Sequence, residues 1–329
     1  MAVAALPTTR TTPSPWSEVA KAVALLTAVV SLLLTAFAWP SVRSSVHDLP
    51  IAVAGPAPAV QQIRAALEQR APGAFVISEV RDTAAAELLI RDREVYGAID
   101  VSAGAPQIIT ASSASAAVAQ ALNAAATGLR PADNTGATPA VRDLVPLPAD
   151  DPRGAGLAAG ALPLVMGGLL AAVLLTRLIR GTARQLLGAL AFALAGGLAV
   201  AAILQFWFGS LSGSYLANSG AVALAVAATS VSILGLQTLL GYVGLGLGAA
   251  TMMLVGNPLS GTATAPEMLP GWSGTLGQLL PPGAGGQLLR STAFFDGQGA
   301  AGPIAVLAGW LTLGLLLCAV VARRSGGAR

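Results

Sequence analysis

Between Arg184 and Glu267 the chain runs for 82 residues without a single Asp, Glu, Lys, Arg or His. An ordinary globular protein has about a quarter of its residues charged, so an uncharged run of this length belongs to a different solvent. Three further uncharged stretches, 22–42, 154–176 and 297–322, hold 21, 23 and 26 residues. A helix needs roughly 20 apolar residues to cross about 30 Å of hydrocarbon. Each shorter stretch therefore fits one span and the long one fits three, placed at 22–41, 155–176, 186–208, 218–237, 239–256 and 303–322. Only Gln237 and Gly241 mark a turn between the fourth and fifth. The composition agrees, with 54% hydrophobic residues, 10% charged and a mean hydropathy of +0.71.

The few charges orient these spans. Basic residues flanking a span stay on the cytoplasmic side. They cluster at Arg10 and Lys21, at Arg177, Arg180 and Arg184, and at Arg323, Arg324 and Arg329, with Glu18 alone diluting them. Residues 43–153 instead mix nine Arg with twelve Asp or Glu, and residues 257–300 hold Arg290 against Glu267 and Asp296. Both segments read as external. Arg184 and Arg323 share a side only if an even number of helices separates them, which three spans before Glu267 and one after satisfy. The first span reads as an uncleaved anchor. The rival is a signal peptide, with Ala36-Phe37-Ala38 as its small-residue site; the long apolar run and the Trp39-Pro40 pair favour the anchor.

The expected organisation is a cytoplasmic tail (1–21), a first transmembrane helix (22–42), an extracytoplasmic α/β domain (43–130) and a Pro-rich tether (131–153). Spans two to five follow (154–256), then an external re-entrant or interfacial segment (257–302), the last span (303–322) and a cytoplasmic tail (323–329). In 50–130, short β-rich runs at 51–55, 75–80, 96–101 and 107–111 alternate with helical patterns, an order βαβαββα that predicts a small mixed sheet. Asp82 is placed to cap the helix that follows it. The tether carries Pro131, Pro139, Pro146, Pro148 and Pro152, which disfavour helix. Asp92, Glu94, Asp150 and Asp151 intermix with Arg81, Arg91 and Arg93 without calcium-loop spacing, and read as solvated surface.

Scarcity of reactive residues excludes several chemistries. One Cys (Cys318) and one His (His47) build no disulfide, no His/Cys metal site and no His-dependent triad within one chain. The one lysine, Lys21, sits between Ala20 and Ala22, so there is no Gly-Lys-Ser or Gly-Lys-Thr phosphate loop. No enzymatic activity and no cofactor is expected. The spans hold no ionisable residue, which speaks against an ion-coupled pump. Glycine pairs such as Gly156/Gly160, Gly196/Gly197 and Gly244/Gly248, and the polar Gln205, Asn218, Ser230, Ser232 and Gln237, read as helix-packing devices.

Residues 257–300 are too apolar for a simple hydrated loop, with Met268, Trp272, Leu279, Leu280, Phe294 and Phe295 among many Gly and Pro. Such a stretch enters a bilayer only where protein or water covers its backbone. Its motifs are Gly256-Asn257-Pro258-Leu259-Ser260-Gly261, Pro266-Glu267-Met268-Leu269-Pro270-Gly271, Leu280-Pro281-Pro282-Gly283-Ala284-Gly285, and Arg290 followed by Phe294-Phe295-Asp296-Gly297. In these the chain resembles the permease subunits of the type-2 ABC exporter superfamily, in the branch that includes the phage infection protein family. The resemblance implies an export path formed by two permease copies, or two related subunits, and driven by a separate ATP-binding subunit. It makes Arg177, Arg180 and Arg184 the expected ATPase contact, and Asn257, Pro258, Ser260, Gly261, Pro281 and Pro282 the expected extracytoplasmic gate segment. Cell-membrane residence with both termini cytoplasmic, a lipid bilayer as partner and no nucleic acid complete the expectation. The alternative is a non-transporting receptor or assembly factor whose external domain does the work.

Overall fold

Absence of charge becomes, in the computed structural model, five helices long and apolar enough to cross a membrane: Trp16–Arg43 (α1), Ala155–Leu178 (α5), Thr182–Trp207 (α6), Tyr215–Leu240 (α7) and Ala301–Arg323 within α11 (Ala301–Gly326). The structure describes residues 13–103, 106–127 and 140–326. The expectations for residues 1–12, for the first part of the tether (131–139) and for 327–329 lie outside them.

The turn between the fourth and fifth expected spans falls at Gly241, which has φ +63° where a side chain would be strained. The helix beyond it, Tyr242–Ala250 (α8) with a π-helical turn to Gly256, is shorter than the other spans. Its 15 residues reach about 22 Å at 1.5 Å per residue, less than the hydrocarbon thickness. Five helices long enough to span and one shorter apolar helix therefore stand where six spans were expected. Gly256 stops α8 against the ring of Pro282, where an added Cβ would lie 2.7 Å from Cγ.

The α/β domain follows its sequence pattern closely. Strands Leu49–Ala54 (β1), Phe75–Val80 (β2), Gly97–Asp100 (β3) and Gln107–Thr110 (β4) alternate with helices Ala57–Arg70 (α2), Thr83–Arg91 (α3) and Ala116–Thr127 (α4). Asp82 caps α3, accepting the Ala85 amide at 2.9 Å. The order is β2-β1-β3-β4-β5, parallel except for the β3–β4 pair. Its fifth strand, Ala140–Asp143, comes from the stretch expected only as a tether. An unpaired β4 edge offers a row of free amides and carbonyls, and pairing them outweighs the weak local propensity of 140–143. The carboxylate of Asp151, expected on a solvated surface, is buried and accepts the Ala155 and Gly156 amides at 2.8 Å, anchoring the start of α5.

Helix α7 is the hub of the bundle. Its apolar window is 83% buried, against 28% or less for the other four. α5, α6, α8, α11 and the helix Pro281–Phe294 (α10) all pack on it. Between helices in lipid there is little hydrophobic drive, so close backbone approach and interhelical hydrogen bonds carry the packing. Small residues supply that approach: Gly197 lies against the Ser219 carbonyl, Gly168 against Thr229, and Gly244 against the Leu236 carbonyl. Ser230 bonds within α7 to the Val226 carbonyl, while Ser232 bonds to that of Ala228 and bridges to Trp310 of α11 at 2.9 Å. By contrast α1 buries only Pro40 and meets the bundle at the 251–256 turn and at the groove lined by its C-terminal end.

At the α7–α11 crossing, a Cβ on Gly314 would fall 2.5 Å from the Val231 carbonyl oxygen. Gly314→Val is expected to destabilise the detergent-solubilised protein by about 1–3 kcal/mol, as overpacking usually does. Gly220→Ala in α7, where the new Cβ meets nothing within 4 Å, is expected to keep or raise the unfolding midpoint, since alanine suits a helix interior better than glycine. Equal midpoints for the two variants would contradict the crossing.

Candidate functional site

The expected gate residues are held by backbone constraints. Pro258, which has no amide to donate, carries the chain out of α8 just after Asn257 closes the π turn on the Met252 carbonyl. Gly261 has φ +64°, with a virtual Cβ 2.8 Å from the Pro266 nitrogen, so only glycine fits the turn. Ser260 Oγ accepts the Thr262 hydroxyl at 2.9 Å, and its carbonyl accepts Gln278 Nε2 at 2.9 Å. The chain then passes through a short helix, Ser273–Gln278 (α9), and returns in α10, whose first two residues are Pro281 and Pro282, where prolines suit a helix start.

Segment 257–300 folds back into the bundle. Gly285 of α10 sits on Ala225, the eleventh residue of α7, and the Trp310 indole, well inside α11, donates to the Leu279 carbonyl at 2.8 Å. Asn257, Pro258, Ser260 and Gly261 line a groove of about 260 Å³ with the C-terminal end of α1 (Phe37, Pro40, Ser41, Ser44) and the first turns of α5. Pro281 and Pro282 line a narrower, mostly apolar recess that shares Ala161 and Thr262 with that groove. All six residues are thus brought to one place.

Arg177, Arg180 and Arg184 lie elsewhere, on the tight α5–α6 hairpin at the end of the bundle away from the sheet, and all three are exposed. Arg177 lies over the Tyr242 ring at 5.5 Å from its centroid, and Gln185 Nε2 donates to the Ile179 carbonyl to close the turn. Among the described residues no group of three His, Cys, Asp or Glu is placed to hold a metal ion.

Sequence reasoning missed a second polar cluster, where the α/β domain rests on segment 257–300. Arg93, expected on a solvated surface, is folded inward with a φ of +63°. Its guanidinium donates to the Gln287 carbonyl (3.1 Å), Gln287 Oε1 (2.6 Å) and Ser291 Oγ, and lies over the Phe295 ring. Burial lowers the Arg93 pKa. Tyr96 donates to Glu267 Oε2 at 2.7 Å. Arg290 is buried, with Nη2 donating to the Thr262 carbonyl at 3.0 Å and Nε unpartnered. Phe295 completes the apolar core on the α3 face of the sheet, and Met268 packs by Leu49 and Val118. The available signal was Arg290 itself, the one charge in α10.

Burial and the adjacent Glu267 carboxylate both push the Tyr96 pKa well above 10.0, its ordinary value. Below pH 10 the phenol is protonated in folded and unfolded chains alike and adds no pH dependence. Above it the unfolded chain releases its proton first, so stability falls as pH rises. Wild type is expected to lose stability above about pH 10 more steeply than Tyr96→Phe, which at neutral pH should be weaker by about 1–3 kcal/mol for leaving Glu267 without its donor. Parallel alkaline profiles in a thermal-unfolding series would contradict this. Compared with protein-family models, curated proteins and solved structures, the chain matches none.

Proposed function

We propose that the chain is the membrane-spanning permease subunit of an ABC-type exporter, moving a hydrophobic or amphipathic substrate with energy from a separate ATP-binding subunit. It pairs with a second copy or a related permease, resides in the cell membrane and keeps both termini in the cytoplasm.

The observation that carries this reading is helix α5. Its first turns, at Ala158, Ala161 and Leu162, form a wall of the groove, and its last turn holds Arg177 of the exposed arginine hairpin. One continuous helix of 24 residues thus joins the exposed arginine hairpin at one end to the groove at the other. The C-terminal end of α1 forms the opposite wall, where Ser44 and Ser45 tie the chain to the Met268 carbonyl. The receptor reading is second because the α/β domain shares its core with segment 257–300 and is not a free-standing module.

Arg177→Glu, Arg180→Glu and Arg184→Glu together are expected to abolish transport and release the ATPase from the purified complex, while these exposed positions leave the unfolding midpoint unchanged. Full transport in the triple variant, or purification from native membranes with no ATPase attached, would overturn the proposal. In a Cys318→Ala background, a cysteine at the exposed Ala263 should label from outside and one at Thr182 only after permeabilisation. The reverse pattern inverts the orientation.

A further inference from the structure

Beside the polar cluster lies a cavity of about 380 Å³ with walls of two kinds. Arg93, Tyr96, Glu267, Gln278 and Gln287 line the part nearest the sheet, and Leu279, Pro303 and Val306 the rest. Leu279 and Val306 also line a second, almost wholly apolar cavity of about 260 Å³, which continues along α11 past Gly309 and Trp310 to Leu313. The two form one channel on the side of the bundle, polar at the sheet end and apolar beyond it. Gly309 leaves its floor open, since a Cβ there would meet nothing within 4 Å.

The cluster at the polar end carries unbalanced charge. Arg93 lines the cavity, and Arg290, buried nearby and outside its lining, adds a second positive charge against the single carboxylate of Glu267, which is engaged by Tyr96. Every hydrogen-bond acceptor of Arg93 is neutral, and Arg290 has one carbonyl acceptor with its buried Nε unpartnered. Guanidinium groups removed from water without a matching anion are costly, and the structure holds Arg93 there in a left-handed backbone conformation.

We propose that this channel binds a membrane lipid with an anionic headgroup. The headgroup lies against Arg93, Gln278 and Gln287, and an acyl chain runs along α11 over Gly309 to Leu313. A soluble anion would satisfy the charge but would leave the apolar arm unused, whereas a lipid satisfies both. The site does not depend on the chain's being a permease.

The test uses the full-length protein with Trp310 as its sole tryptophan (Trp16, Trp39, Trp207 and Trp272→Phe), in phosphatidylcholine vesicles. A minor fraction of lipid is brominated on its acyl chains, as either phosphatidylglycerol or phosphatidylcholine. Brominated phosphatidylglycerol is expected to quench Trp310 several-fold more effectively at equal fraction. Arg93→Gln should remove the preference, and Gly309→Leu, which fills open space without disturbing the cluster, should reduce quenching by both lipids. Excess glycerol phosphate should leave the preference intact. Equal quenching by the two lipids, a preference that survives both variants, or its abolition by glycerol phosphate would each overturn the assignment.

Discussion

Everything in the bundle is arranged to enclose one helix. Water is absent as a driving force between apolar helices in a bilayer, so α7 is held by contacts that work only at short range. Glycine lets backbones meet at α5, α6, α8 and α11, and serine hydroxyls satisfy carbonyls within α7 or across to Trp310. Small residues dominate the contact points of α7, with Ile233 and Leu234 filling the space between them, so neighbours arrive there at near backbone contact. The same holds where α10 meets α7: Gly285 lies against Ala225, while Gly283 lets α10 close on Gly277 of α9.

The second constraint is the union of the α/β domain with segment 257–300. The sheet's α3 face is closed by Phe295, and Ser44, Ser45 and Ser115 bond to the Met268 and Thr264 carbonyls of that segment. Movement of the domain therefore carries the segment with it, and through α10 it reaches the core of the bundle. The groove residues and the domain act as one body, with α1 as the loosely held element beside them.

Features set by local chemistry were legible in the sequence. The apolar runs, the Asp82 cap, the first four strands and the turn at Gly241 each depend on residues adjacent in the chain. Features set by distant partners were not. Strand β5 exists because β4 offers it an edge, and Asp151 is buried because the α5 amides need an acceptor. Arg93 looks like any surface arginine until Gln287 and Ser291, almost 200 positions later, are seen around it. Of the six residues expected in the gate segment, Asn257, Pro258, Ser260 and Gly261 line one groove, and Pro281 and Pro282 line the recess that adjoins it. The fifth expected span ends at Gly256 as its motif suggests and loses length at its start, because α7 runs on to Leu240 before the turn at Gly241.

The central position of α7 bears on how the molecule is made. Two of its neighbours, α5 and α6, precede it in the chain, but α8, α10 and α11 follow. When α7 leaves the ribosome, the faces that later meet α8, α10 and α11 have no protein to meet, and they carry Ser232 and Gly235, which close on α11. The nascent chain must hold this least hydrophobic of the long spans in the membrane until the last helix is inserted. Only with α11 in place are Ser232 and Gly235 of α7 covered, so the last helix of the chain closes a face that the earlier helices leave open.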